Sequence, residues 1–317
     1  MIYGSLIRAV ALSCGIFLSV SAQAQLADMF EDNGKLLATG GVSQVEGAAG
    51  GGLAPWAVIS GYETRDGIGV TVHETFVPTS DFTLHTPGIA IGLFDRVELS
   101  YAADLFSLNN NNLSPGGLNK GYTLHQDVFG AKVRLFGDIV YDQDTLAPEM
   151  SVGMQYKHNN NKTVLNAVGA KDTDGVDFYI AATKLFIEYN LLVNGTLRFT
   201  KANQFGLLGF GGPLNDGYQP EFEGSIGYLL SKRFVVGAEY RTKPNNLSKF
   251  AGVLPITPEE NAFDIFAAYF LSKNISITAA YADLGHIANV SLAPLGVEKT
   301  LEPRDQNGAY VSLQFAL

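Results

Sequence analysis

Asn307-Gly308-Ala309-Tyr310-Val311-Ser312-Leu313-Gln314-Phe315-Ala316-Leu317 is the stretch whose reading decides the fold. Side chains of an extended strand alternate between its two faces, so Ala309, Val311, Leu313, Phe315 and Leu317 form one unbroken apolar row. Tyr310, Ser312, Gln314 and Ala316 form the opposite row. The apolar row runs to the last residue with no polar tail after it. That suits the closing strand of a membrane barrel, whose outer face meets lipid and whose inner face meets a polar interior. Such a strand ends at the periplasmic rim, and the topology counts backwards from it.

At the other end, Arg8 precedes an apolar run over residues 9–20, and Ala22-Gln23-Ala24 has the small-x-small pattern of an export cleavage site. The run is too short to cross a bilayer as a helix. Residues 1–24 are therefore expected as a signal peptide, 25–34 as a short N-terminal segment and 35–317 as the barrel. The single cysteine, Cys14, leaves with the leader, which removes disulfides and thiolate chemistry from the mature chain. His73, His85, His125, His158 and His286 are spaced too far apart in sequence for a ligand pair, so neither a metal nor a cofactor is expected. A formal charge of −10 without basic runs argues against nucleic acid.

Charged residues make up 16% of the chain, against roughly 25% in soluble domains. Yet no segment after the leader holds the roughly 18 unbroken apolar residues of a membrane helix. An exported chain of this kind can cross a bilayer with strands, because a closed barrel satisfies every backbone group in lipid.

Strand-like alternation covers residues 36–46, 55–62, 68–77, 86–93, 97–106, 126–136, 148–157, 176–188, 191–202, 220–230, 233–242, 262–271, 275–284 and the closing stretch. The expected fold is an all-β, antiparallel transmembrane β-barrel of about 14 strands, or about 12 if the glycine-laden first two segments fold into the lumen as a plug. Counting back from Leu317, the connections at residues 285–306, 272–274, 244–261 and 231–233 alternate long and short. Outer-membrane barrels keep short periplasmic turns and longer outside loops. The stretch 176–188 has mixed faces, and its register is open. Phe136, Phe186, Phe234, Phe270 and Phe315 fall toward the short turns, and Tyr101, Tyr156, Phe199, Phe222, Tyr240 and Tyr281 farther out, as two interfacial belts require.

Placing the apolar rows on lipid turns Glu98, Asp104, Lys132, Arg134, Gln155, Lys157, Arg198, Glu221, Glu223, Glu239, Arg241 and Asp264 inward. A charge on the lipid face near midplane costs about 2 to 4 kcal/mol. The inward set admits two readings. It is a pore lining, with acids and bases setting a field across a water-filled channel, or neighbouring strands pair Glu98 or Asp104 with Lys132 or Arg134 to fill and rigidify the lumen. The loop over residues 203–213 is apolar for an outside loop. Its Phe205, Leu207, Leu208 and Phe210 either fold inward and narrow the pore, or greet an apolar solute, or pack against one another at the surface. Asp172-Thr173-Asp174-Gly175 opens like a calcium loop, but Thr183 stands where the closing acid belongs. The serines lack a nucleophile-elbow motif, so a catalytic set is not expected.

Three motifs carry a family likeness: Lys35-Leu36-Leu37-Ala38-Thr39-Gly40-Gly41-Val42-Ser43-Gln44-Val45-Glu46-Gly47, Tyr141-Asp142-Gln143-Asp144, and Lys201-Ala202-Asn203-Gln204-Phe205-Gly206-Leu207-Leu208-Gly209-Phe210-Gly211-Gly212. With them the chain resembles a bacterial family catalogued as domain of unknown function 3034. The resemblance implies a proteobacterial envelope protein of the outer membrane, with no established substrate and no site residues to carry over.

The expected function is that of a passive, porin-like channel for a small solute. Its partners are outer-membrane lipid and the barrel-assembly machinery, engaged through the C-terminal strand. The competing readings are a barrel enzyme, either a lipid hydrolase or an acyltransferase, and a non-conducting structural or adhesion barrel, whose sign is a sealed lumen.

Overall fold

The computed structural model describes residues 35, 37, 39–109, 120–247, 259–287 and 305–317. The expected leader and the segment 25–34 lie outside those residues. Twelve strands form the wall: β3 (Ile68–Pro78), β4 (Phe82–Leu93), β5 (Val97–Leu108), β6 (Thr123–Phe136), β7 (Glu149–Asn159), β8 (Asp174–Phe186), β9 (Leu191–Thr200), β10 (Gln219–Ser231), β11 (Phe234–Arg241), β12 (Ala262–Phe270), β13 (Ile275–His286) and β14 (Asp305–Ala316). Each pairs antiparallel with its sequence neighbour, and β14 closes the barrel on β3 from Val311↔Phe76 to Ala316↔Thr71. Leu317 extends the seam, donating to the Val70 carbonyl at 2.8 Å.

Alternation in β14 falls as its sequence dictates. Val311 and Leu313 face outward while Tyr310, Ser312 and Gln314 are buried inside. The same phase puts Leu99, Ile226 and Ile265 on the exterior, about half exposed in the absence of lipid. Phe136, Phe222, Tyr240 and Tyr281 join them, but Phe270 does not. It lies inside against Val42 and Phe266, because the phase of β12 sends Phe263, Ile265 and Tyr269 outward. In β8 the mixed faces resolve with Phe178 and Ile180 outside and Asp177, Tyr179 and Ala181 inside. There an inward tyrosine had obscured the pattern.

The wall is twelve strands and not fourteen, which leaves residues 39–62 inside it. Two short strands, β1 (Val42–Ser43) and β2 (Ala49–Gly50), pair with each other within that insert. Gly47, at φ +91°, turns the chain in a conformation that costs other residues about 1–2 kcal/mol. The first stretch therefore cannot run straight for the 9 to 11 residues of a tilted span. β4 begins at Phe82, ahead of the expected 86, and its ladder to β5 skips Thr86 and Pro87; the proline supplies no N–H.

The β3–β4 connection is short (79–81), whereas 160–173 carries α1 (Lys162–Val168) and 201–218 is longer still. At the opposite end, 94–96, 232–233 and 271–274 are short, but 137–148 is not. Inside, apolar groups gather at both ends. Phe82, Phe106, Leu124, Leu208 and Leu284 cluster toward the long loops, and Trp56, Val58, Leu185 and Leu192 toward the short turns. Glu98, Lys132, Lys157, Arg198 and Arg241 lie between these two layers, and a further charged group around Arg134 lies at the short-turn mouth.

Candidate functional site

The lumen is assembled by the twist and closure of the sheet, which carry the inward positions of distant strands onto one central insert. All twelve inward candidates are at least 92% buried. Nearest the short turns, Arg134 meets Asp95 at 2.5 Å and Glu149 at 3.4 Å. Lys35, which precedes the insert, joins them, 2.8 Å from Asp95 and 3.3 Å from Glu63. These groups line a cavity of about 660 Å³ at that mouth. Burial pushes the Glu63 carboxyl up to about 7, with Asp95 adding to the rise and Lys35 opposing it.

One layer further in, Glu98 and Lys132 face each other across β5 and β6 at 3.1 Å. This is the neighbour-strand pair anticipated from sequence, but it does more than neutralise itself. Glu98 accepts the Ala49 and Ser60 amides at 3.1 and 2.8 Å, and Lys132 donates to the Ala49 and Trp56 carbonyls at 3.1 and 3.2 Å. Asp104 pairs with neither base and accepts from Thr86 and Gln126 at 3.0 and 2.9 Å. Across the bore, Glu239 accepts the Leu53 amide at 2.7 Å and the Ser225 hydroxyl at 2.6 Å. Asp264 sits opposite Glu239 on the next strand.

The densest layer surrounds Glu46. Arg241 donates to both of its carboxylate oxygens, at 2.7 and 3.2 Å. Lys157 donates to one of them, and Arg198 lies 3.6 Å away. Asp177 and Glu223 complete the cluster: Lys157 meets Asp177 at 2.7 Å, Arg198 meets both acids, and Arg241 meets Glu223 at 3.3 Å. Gln155 accepts from Arg198 at 2.6 Å, and Glu221 lines a small crevice beside Arg198 and Arg241.

Above this cluster the loop 203–211 turns into the barrel. Phe205, Leu207, Leu208 and Phe210 are all buried. The Phe205 carbonyl accepts from Lys157 at 3.1 Å and Gln126 at 3.3 Å, and its ring lies 4.3 Å from the Arg241 guanidinium. Gly206, at φ +98°, makes the bend, and a side chain there would run into Gln126. Glu259 fastens the loop by accepting the Gln204 amide at 3.0 Å.

Sequence reasoning missed Glu46 and Trp56, because its fourteen-strand reading laid 36–46 and 55–62 in the wall, and Glu63, which it left in the turn that follows. The glycines around Glu46 were the available signal. On the exterior, three of the five histidines pair with carboxylates, His85 with Glu74, His125 with Asp127 at 3.3 Å and His158 with Asp174 at 2.5 Å, all partly exposed, whereas His73 is buried inside the wall. At the long-loop rim Glu260, His286 and Asp305 gather within 4.8 Å. There the two acids flank opposite ring nitrogens of His286, at 3.4 and 3.1 Å, so a cation could take one nitrogen with one neighbouring acid.

A closed up-and-down barrel with an apolar exterior and an ion-paired interior defines a transmembrane β-barrel of the outer-membrane type. The chain belongs to the family described as "Protein of unknown function (DUF3034)", whose profile matches residues 39–314. No curated protein matches the sequence. Similar solved structures include the KdgM porin, at 10% identity and TM-score 0.45, covering 77% of this chain and 98% of that one. An outer membrane channel from Pseudomonas putida F1 aligns at 10% identity and TM-score 0.45, over 83% of this chain and 96% of that one. Outer membrane phospholipase A from Escherichia coli aligns at 11% identity and TM-score 0.40, over 78% and 92%.

Proposed function

We propose that the protein is an outer-membrane channel that passes a small solute passively and rests closed, with residues 39–62 as an internal plug. The observation that carries this reading is the way the insert is held. Among the described residues its strands pair with each other, while the wall ladder runs complete from β3 to β14. Barrel closure therefore does not depend on the insert, and the insert can shift without opening the wall. Its bonds to Glu98, Lys132, Glu239 and Arg241 are polar, so water can replace them as the insert moves. Once exposed, the same side chains line an aqueous path and select by charge. The loop 203–211 forms the narrowing on the long-loop side.

The filled lumen also favours a second reading, a non-conducting structural barrel. Crosslinking separates the two. Ser43 of the insert donates to Gln314 of β14 at 2.9 Å, so Ser43→Cys with Gln314→Cys can be joined by a short, reducible thiol crosslinker. The channel reading requires discrete conductance steps in planar bilayers that crosslinking abolishes and reduction restores. Silence in both states assigns the protein to the structural class. Deleting residues 206–211 raises the step size if the loop narrows the bore, and leaves it unchanged if the loop only packs at the rim.

A further inference from the structure

We propose that Lys157, Arg198 and Arg241 form a carboxylate-binding site which Glu46 occupies in the closed state and which a solute monocarboxylate takes when the insert withdraws. The transport half of this statement rests on the channel reading above; the binding half does not.

The charge count within the cluster points to a single anion. The wall contributes the three cations, and the wall acids in ion-pair contact with them are Asp177 and Glu223. These five groups carry one positive charge in excess, and Glu46, the sixth, cancels it. All six side chains are at least 96% buried, so the excess charge cannot be left to solvent at low cost.

Geometry narrows the ligand further. Arg241 grips Glu46 with two guanidinium nitrogens on two oxygens, the planar fork that matches a carboxylate. Gln44, on the insert itself, donates to the same carboxylate at 3.0 Å. Withdrawal of the insert thus removes Glu46 and Gln44 together and leaves the wall donors in place. A dianion would overshoot the single excess charge, whereas a monocarboxylate matches it. Phe205, whose ring Arg241 covers, stays with the wall beside the vacated space together with Leu207 and Leu208. They suit a solute with a short apolar body. Phe205 and Lys157 also touch through the Phe205 carbonyl, so the site lies directly beneath the inward loop, on the axis a permeating solute must follow.

Full-length Glu46→Ala tests the site by vacancy. Its denaturant midpoint falls below that of the wild type, and propionate at about a hundredfold over its dissociation constant restores most of the loss. Propionamide, of the same shape without the charge, restores none, and adding Arg241→Met abolishes the propionate response. Should the alanine variant fail to fold, the wild-type chain carries a second measurement. Propionate competing with Glu46 loosens the insert and increases acrylamide quenching of Trp56, and propionamide does not. Equal responses to the acid and the amide in both experiments overturn the proposal. Propionate-specific rescue in a barrel that never conducts leaves the site standing and removes the channel. Conductance without any propionate response does the reverse.

Discussion

Arg241 Nη1 lies 2.7 Å from Glu46 Oε2 although the two residues are 195 positions apart. One ends a wall strand and the other tips the insert, so this contact ties the plug to the barrel at its deepest point. Arg241→Met removes the fork and leaves a buried carboxylate with fewer partners, a loss of about 3 to 5 kcal/mol. Urea unfolding in detergent reads it. Adding Glu46→Gln should recover part of the loss, because the stranded charge is gone; a fully additive double variant would show that the two residues are not coupled.

Trp56, the chain's one tryptophan, is buried and donates its indole N–H to Ser225 at 2.9 Å. Ser225→Ala leaves that donor without a partner, costing about 1 to 3 kcal/mol. The expected result is a lower unfolding midpoint and greater acrylamide quenching of Trp56, without loss of the barrel's heat-modifiable migration on gels.

Glu63 gives the base of the plug a pH dependence. Its carboxyl stands at about 7 in the fold against 4.5 ordinarily, because burial raises it. The folded state therefore holds the proton more tightly than the unfolded one. The stability this supplies is full below about pH 4.5 and lost as pH rises through about 7. Trp56 quenching should increase across that window, and Glu63→Gln should flatten the profile. A variant with the wild-type profile would assign the effect to another group.

Ile226 faces outward at the middle of β10, with Ser225 beside it facing in. Ile226→Lys places a charge against acyl chains and costs about 2 to 4 kcal/mol. Refolding yield into lipid vesicles should fall accordingly. An unchanged yield would mean that this face does not meet lipid.

Much of the lumen was legible in the sequence. The inward placement of Glu98, Lys132, Arg198 and Arg241 follows from alternation alone, since a slip of one residue would send each of them into lipid. The pairing of Glu98 with Lys132 was legible only as one of four combinations, since alternation faces both acids and both bases inward on neighbouring strands while the long connection between β5 and β6 leaves their register to the closed sheet. Phe270 was misplaced, because an aromatic near a turn suits either face and only the phase of its whole strand decides.

What the sequence by itself determined is the phase of most wall strands, β8 excepted, and the closing role of 307–317, both governed by a local period of two and the cost of wetting or charging the wrong face. The tertiary structure alone decided that residues 39–62 lie inside and that Glu46 meets Lys157, Arg198 and Arg241. Those partners come from different strands, and which of them face one another across the bore depends on closure and twist of the whole sheet, which no local pattern encodes.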